Sequence, residues 1–70
     1  MKYYILFSED GESVEGNFEA HNTLEEAERV AQEYAKSDSL RSDDDYFIRA
    51  TEPDTYPEKI IDYDIYGKEI

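Results

Sequence analysis

The sequence contains no cysteine, and it has only three glycines, two prolines and one histidine among 70 residues. Without cysteine the chain has neither a disulfide nor a thiolate metal site, which fits a reducing cytoplasm. The apolar run at residues 3–7 is followed by Glu9 and Asp10, and it is too short for a signal-peptide core or a membrane span. We therefore expect one soluble, unprocessed, cytoplasmic domain of residues 1–70 with a thin core.

Basic side chains are scarce, since seven Lys and Arg stand against nineteen Asp and Glu, giving a formal net charge of −12 and an isoelectric point near 4.2. This charge disfavours direct binding to nucleic acid or to an anionic membrane, and it favours a basic protein surface as partner. A solubilising or salt-adapted surface is the alternative explanation. Disorder is not expected, because seven Tyr and three Phe provide apolar contact area.

Patterns for catalysis or metal binding are weak. No Ser or Cys lies at a spacing from His21 that favours a catalytic triad, so we expect a surface residue rather than a general base. Asp43, Asp44 and Asp45 are consecutive, and the glycine and terminal Glu of an EF-hand loop are missing. Helix capping or a solvated loop is the favoured interpretation, with a divalent cation site as the alternative. We expect no enzyme activity, no metal and no cofactor.

The clearest secondary-structure signal is a helix at residues 23–37, TLEEAERVAQEYAKS. Its apolar side chains recur at steps of three and four residues, on one helical face: Leu24, Ala27, Val30, Ala31, Tyr34 and Ala35. Thr23 with Glu26 three residues later predicts a capping box at the helix start. The alanines in the apolar stripe predict that a sheet approaches the helix closely.

Turn chemistry and alternation predict a β-hairpin before the helix. Residues 2–8 form a strand rich in aromatic and branched side chains, for which we expect a central position in the sheet. Asp10-Gly11 is typical of a two-residue type I′ turn, which sets the register of a second strand. In this register two sets of side chains share opposite faces: Tyr3, Ile5, Phe7, Val14 and Phe18 on one, and Lys2, Tyr4, Leu6, Glu15, Asn17 and Glu19 on the other.

Two further strands are predicted after the helix, at residues 45–51 and 59–66. The loop at residues 52–58 contains two prolines and cannot continue a central strand, and its Tyr56-Pro57 bond is expected to be trans. The order ββαββ predicts a two-layer α+β fold, in which one helix packs on one face of a four-stranded, mainly antiparallel sheet.

A single helix leaves the second face of this sheet open, with carboxylates around aromatic and aliphatic groups. Such a patch is typical of a binding surface. Asp62 and Asp64 project from one side of a strand about 6.6 Å apart, comparable to successive phosphates of a nucleic acid. The predicted partner-binding residues are Tyr4, Leu6, Glu15, Glu19, Asp43, Asp44, Asp45, Asp62, Asp64 and Tyr66. A homodimer interface and a plain solvated face are the alternatives.

In size, charge, lack of cysteine and a one-helix sheet, the whole chain resembles the small acidic inhibitors that phages and mobile elements encode against host defences, the anti-CRISPR and antirestriction proteins. No sequence motif carries this resemblance, and it transfers no functional residue. It implies a stoichiometric inhibitor that mimics DNA and covers a basic nucleic-acid-binding surface of a nuclease or CRISPR effector subunit. The alternative is a structural or adaptor module that pairs with another protein, or with itself as a homodimer, through the open sheet face.

Overall fold

The computed structural model describes residues 1–16, 20–52 and 57–70. The described chain runs through β1 (Lys2–Phe7), α1 (Leu24–Ser37), a 3₁₀ turn (Asp43–Asp45), β2 (Tyr46–Glu52) and β3 (Lys59–Tyr63). β2 lies between β1 and β3 and is antiparallel to both. The prediction of a four-stranded ββαββ sheet is therefore wrong, although a small α+β fold with one helix is retained. No helix in the described ranges is long and apolar enough to cross a membrane.

The turn after β1 differs from the predicted type I′ turn and is a loop of four residues. Gly11 donates its backbone N–H to the Phe7 carbonyl at 2.8 Å, and Phe7 in turn donates to the Glu12 carbonyl at 2.9 Å. The Asp10 carboxylate accepts the backbone N–H of Glu12 at 2.9 Å. This Asx turn gives the backbone a local hydrogen bond that competes with the two-residue hairpin.

The longer loop shifts the register and replaces the predicted second strand. Ser13 lies opposite Leu6 in an isolated bridge, where the predicted register placed Glu15. Gly16 then turns the chain with a φ of 65°, which a non-glycine residue rarely adopts. Residues 17–19 of the predicted second strand lie outside the described residues, as do residues 53–56 of the predicted loop at 52–58, including the peptide bond before Pro57.

β1 is an outer strand of the three-stranded sheet rather than the predicted central one. Its outer edge is bridged by the segment that follows the turn. Tyr3 and His21 exchange both backbone hydrogen bonds, at 3.0 and 2.8 Å, and Val14 donates to the Ile5 carbonyl at 2.9 Å. These bonds satisfy backbone groups that an edge strand otherwise leaves open.

The position of the helix agrees with the sequence prediction, but the predicted capping box is only half formed, since the Glu26 carboxylate lies beside His21. Thr23 caps the helix, since its hydroxyl accepts the backbone N–H of Glu26 at 3.1 Å. Ala27 and Ala31 are fully buried, and their small side chains let the sheet approach α1 closely. The core cluster consists of Ile5, Ala27, Ala31, Tyr46, Ile48 and Ile65, with Tyr3, Phe7 and Val14 packed against it on the predicted side.

β3 ends at Tyr63, three residues before the predicted end of the strand. The Asp64 carboxylate accepts the backbone N–H groups of Tyr66 and Lys68, both at 2.9 Å, and so closes a turn. The last residues return along β3, with Ile70 donating to the Asp62 carbonyl at 2.9 Å.

Ile65 lies in this turn and is 1% exposed, so the turn itself contributes to the core. Gln32 on α1 donates its side-chain amide to the Ile65 carbonyl at 2.8 Å. Gly67 has a φ of 85°, and the Glu28 carboxylate lies so close to it that a Cβ there would overlap the carboxylate. Helix α1 therefore contacts the C-terminal turn through two polar side chains, of which Gln32 is hydrogen-bonded to it.

Candidate protein-binding site

The strand register defines the sheet face opposite α1, called the open face below. Arg49 lies between Tyr4 on β1 and Asp62 on β3, and it alternates along β2 with buried Ile48 and Ala50. The open face carries Lys2, Tyr4, Leu6, Phe47, Arg49, Thr51, Ile60 and Asp62. The predicted placement of Tyr4, Leu6 and Asp62 on this face is confirmed, because alternation along each strand follows the side-chain period of two.

The apolar groups of the open face differ strongly in exposure. Leu6 is only 8% exposed, because Phe47 flanks it on β2 and Ser13 flanks it across the outer edge of β1. It is therefore not the exposed anchor that the sequence suggested. Ile60 is 52% exposed and Tyr4 is half-buried. The accessible apolar area lies mainly towards β3.

Arg49 on β2 and Asp62 on β3 form a bidentate ion pair. The guanidinium donates from Nε to Oδ1 at 2.9 Å and from Nη2 to Oδ2 at 3.2 Å. The hydrogen bonds to Asp62 raise the pKa of Arg49 above its ordinary value, although partial burial opposes the shift. The guanidinium also lies 5.3 Å from the centroid of the Phe47 ring. Asp62 is therefore an internally neutralised carboxylate rather than the free one assumed from the sequence.

At one end of the open face lies a groove of about 420 Å³, called the acidic groove below. It is lined by Ser8, Asp43, Asp44, Tyr46, Phe47, Asp62, Asp64 and Ile70. The fold thus joins the loop acids Asp43 and Asp44 to Asp62 on β3 and to Asp64 in the turn after β3, which the sequence presented as separate clusters. Tyr66 belongs to the same end, because its hydroxyl donates to the Asp43 carboxylate.

Several of these carboxylates have structural partners. Asp45 accepts the backbone N–H of Ser42 at 2.7 Å and so caps the 3₁₀ turn, as the capping interpretation predicts. Asp64 closes the turn after β3. The hydrogen bond to Asp43 raises the pKa of the Tyr66 hydroxyl above its ordinary value. The side chain of Tyr66 nevertheless remains 59% exposed.

Glu15 lies on the side of α1 instead of on the open face, which corrects its predicted position. Its carboxylate is 10% exposed and lies 2.6 Å from Nε2 of His21. The other ring nitrogen, Nδ1, lies 3.3 Å from the carboxylate of Glu26 on α1. His21 is 12% exposed and is therefore mostly covered, not the surface residue expected. Glu19 lies outside the described residues.

The His21 cluster was missed because no local pattern indicates it. Burial lowers the pKa of His21, but the hydrogen bonds with Glu15 and Glu26 outweigh burial, so that the pKa lies above the ordinary value of 6.5. Glu26 was assigned to the capping box, where its carboxylate would reach back to Thr23. The one available signal was that a histidine precedes an acid-rich helix start by a few residues.

Within the described part of the chain, no group of three or more His, Cys, Asp or Glu side chains could hold a metal ion. Comparison with known proteins finds no match among protein-family models, curated proteins or solved structures. The chemistry of the acidic groove is therefore argued from its own residues. Carboxylates beside aromatic rings offer charge-assisted hydrogen bonds together with flat contact area, which suits Arg and Lys side chains.

Proposed function

We propose that this protein is an inhibitor that binds a basic protein surface through the acidic groove and the adjoining open face. By doing so it occupies the nucleic-acid-binding surface of a nuclease or effector complex, as inhibitors of the anti-CRISPR and antirestriction type do. The observation that carries the proposal is the meeting of Asp43, Asp44 and Asp64 in one groove, beside an Asp62 that already binds Arg49, on a chain of net charge −12.

The chain itself contains two examples of the contact that we propose for its partner. Arg49 lies against the Phe47 ring and a carboxylate on the open face. Arg41 lies 4.5 Å from the centroid of the Phe7 ring and 3.4 Å from the Asp38 carboxylate. In both cases an aromatic ring and an acid together hold a guanidinium group. The acidic groove presents the same two chemistries to an incoming arginine.

Competition with DNA follows from electrostatics. Opposite potentials steer the protein towards a cationic surface and speed the encounter. Lys and Arg side chains that hold DNA phosphates then exchange one polyanion for another. Inhibition of this kind weakens as salt concentration rises, as the binding of DNA itself does.

The test compares two charge-reversed variants with the same net charge. Asp43→Lys/Asp44→Lys changes the acidic groove at two exposed positions, and Glu25→Lys/Glu33→Lys changes two exposed positions on α1. None of these four substitutions alters the Arg49–Asp62 pair or a core residue. Circular dichroism is used to check that each variant is folded. Displacement of a labelled DNA duplex is then measured from a CRISPR effector complex and from a restriction nuclease.

The two variants separate local recognition from overall charge. The body is 20–21 Å thick across its two short axes. At about 0.15 M salt the screening length is about 8 Å, so charges on α1 act weakly on a partner bound at the opposite face. We expect the groove variant to inhibit at least about tenfold less well than the wild type, about 1.4 kcal/mol, and the α1 variant to change by less than about threefold.

Two outcomes contradict the proposal. Equal losses of inhibition in both variants would show that inhibition depends on the net charge and not on one binding face. Absence of DNA displacement by the wild-type protein from both effectors at low salt removes the basis for calling it an inhibitor of this type.

Self-association through the open face is a second candidate function. It is favoured by apolar groups that remain accessible at the β3 side, namely Ile60 at 52% and Tyr66 at 59% exposure. Sedimentation equilibrium tests it, with Ile60→Lys as the variant that should dissociate the dimer. A monomer at all concentrations rejects this candidate, and repulsion between two bodies of charge −12 opposes it at low salt.

A further inference from the structure

His21 connects three parts of the fold that are distant from the acidic groove. Its backbone exchanges two hydrogen bonds with Tyr3 on β1. Its ring lies 2.6 Å from the carboxylate of Glu15 and 3.3 Å from that of Glu26 at the start of α1. Glu15 belongs to residues 12–16, called the edge segment below, which run along the outer edge of β1.

The geometry requires both ring nitrogens to carry protons for both contacts to be favourable. A neutral imidazole has one N–H donor and one acceptor nitrogen. In the neutral form, one of the two carboxylates therefore faces a nitrogen lone pair instead of an N–H donor. Glu26 is 43% exposed and can turn towards water, whereas Glu15 is 10% exposed and has less freedom to leave.

We propose that His21 is a pH-sensitive clasp that, as an imidazolium, holds the edge segment and the start of α1 on β1, and that releases the edge segment when it loses its proton. The titratable groups that face the ring are Glu15 from the edge segment and Glu26 from α1, while β1 presents the backbone of Tyr3.

The direction of the pH effect follows from the pKa. The pKa of His21 in the folded protein is raised above 6.5, its ordinary value. The stabilisation is therefore complete below the ordinary pKa and is lost as the pH rises through the folded-state pKa. Loss of the clasp uncovers backbone groups on the outer edge of β1, because the Val14 N–H is bonded to the Ile5 carbonyl there.

The first measurement is an NMR titration of the single histidine in the wild type, in Glu15→Gln and in Glu12→Gln. Glu12 is an exposed acid in the same edge segment, so Glu12→Gln matches the charge change without altering the clasp. We expect a midpoint above 6.5 in the wild type and in Glu12→Gln, and a lower midpoint in Glu15→Gln. A wild-type midpoint at or below 6.5 overturns the proposal.

The second measurement is amide hydrogen exchange from about pH 6 to about pH 9, the range in which a histidine titrates. The Val14 amide reports on the edge segment, and the Asp64 amide, bonded to the Lys68 carbonyl at 2.8 Å, is the control in the C-terminal turn. As the pH rises, we expect the protection factor of the Val14 amide to fall by about threefold to about thirtyfold relative to that of Asp64. This is the change expected when one partly exposed charge-assisted hydrogen bond is lost.

Equal changes at Val14 and Asp64, or no change at Val14 through the midpoint, contradict a local clasp. If Glu15→Gln does not fold, Glu26→Gln takes its place, because Glu26 is more exposed and its substitution leaves Glu15 at the ring. Glu26→Gln should also lower the midpoint of the His21 titration. An unchanged midpoint in this variant is evidence against a contact of His21 with both carboxylates.

Discussion

Breaking the Arg49–Asp62 ion pair should lower the free energy of unfolding by about 0.5–1 kcal/mol. The two residues lie directly opposite each other on β2 and β3, with guanidinium–carboxylate distances of 2.9 and 3.2 Å. Their side chains are 39% and 33% exposed, so solvent screens the attraction and the value of a buried pair does not apply. The bidentate geometry places the pair at the upper end of the range for exposed pairs.

A double-mutant cycle with Arg49→Met and Asp62→Asn isolates this energy. Asp62→Asn relieves repulsion in a chain of net charge −12, and Arg49→Met increases it, so neither single variant measures the pair alone. Arg49→Met also removes the guanidinium from its position 5.3 Å from the Phe47 ring, a contact worth about 0.5 kcal/mol. We therefore expect Arg49→Met to be the more destabilising single change. Urea denaturation followed by tyrosine fluorescence gives each free energy.

The matched control is the pair of Arg41 with Glu9, where the nitrogen and oxygen lie 4.0 Å apart and the Glu9 side chain is 77% exposed. A cycle with Arg41→Met and Glu9→Gln should give a coupling below about 0.3 kcal/mol. The Arg49–Asp62 coupling should also fall in about 1 M salt, where the screening length is about 3 Å. A coupling no larger than that of the control, or one insensitive to salt, refutes the reasoning.

Five further substitutions test the fold by urea denaturation. Ile48→Ala, at a fully buried position, should lower the free energy of unfolding by about 2–4 kcal/mol, and Ile60→Ala, at 52% exposure, by less than about 1 kcal/mol. Equal losses would contradict their placement on opposite sheet faces. Gly67→Ala and Gly16→Ala should each lower stability by about 1–2 kcal/mol, because both glycines have a positive φ, of 85° and 65°, whereas the Glu28 carboxylate near Gly67 can turn away. Unchanged stability in either variant would contradict the left-handed backbone at that position. Thr23→Ala should lower stability by about 1 kcal/mol and reduce the helical circular dichroism signal, and an unchanged signal would mean that this cap does not hold the helix start.

Helix α1 could be predicted almost residue by residue, because its signals are local. The apolar spacing, the cap at Thr23 and the buried alanines act within a few residues of one another. The alternation of β2 is equally local, and it separates buried Tyr46 and Ile48 from Phe47 and Arg49 on the open face. These parts of the fold depend on the side-chain periods of 3.6 residues in a helix and 2.0 residues in a strand, which can be read from the order of apolar residues in the sequence.

The hairpin prediction was wrong because two local interactions compete in the same turn. Asp10-Gly11 is compatible with a type I′ turn, but the Asp10 carboxylate instead bonds the Glu12 amide and favours the four-residue loop. The difference in free energy between such turns is small, and a change of loop length alters every pairing beyond it. Glu15 consequently lies beside His21 and not on the open face.

The acidity, the single helix and the alternation of side chains along β1 and β2 were determined by the sequence alone. Only the tertiary structure decided that β2 is central, that Asp43 and Asp44 meet Asp62 and Asp64 in one groove, and that Arg49 neutralises Asp62. The physical reason is that strand order and the pairing of charges depend on contacts between residues many positions apart. The energies of these long-range contacts are set by the packing of the whole chain, and they cannot be read from the local periodicity of the sequence.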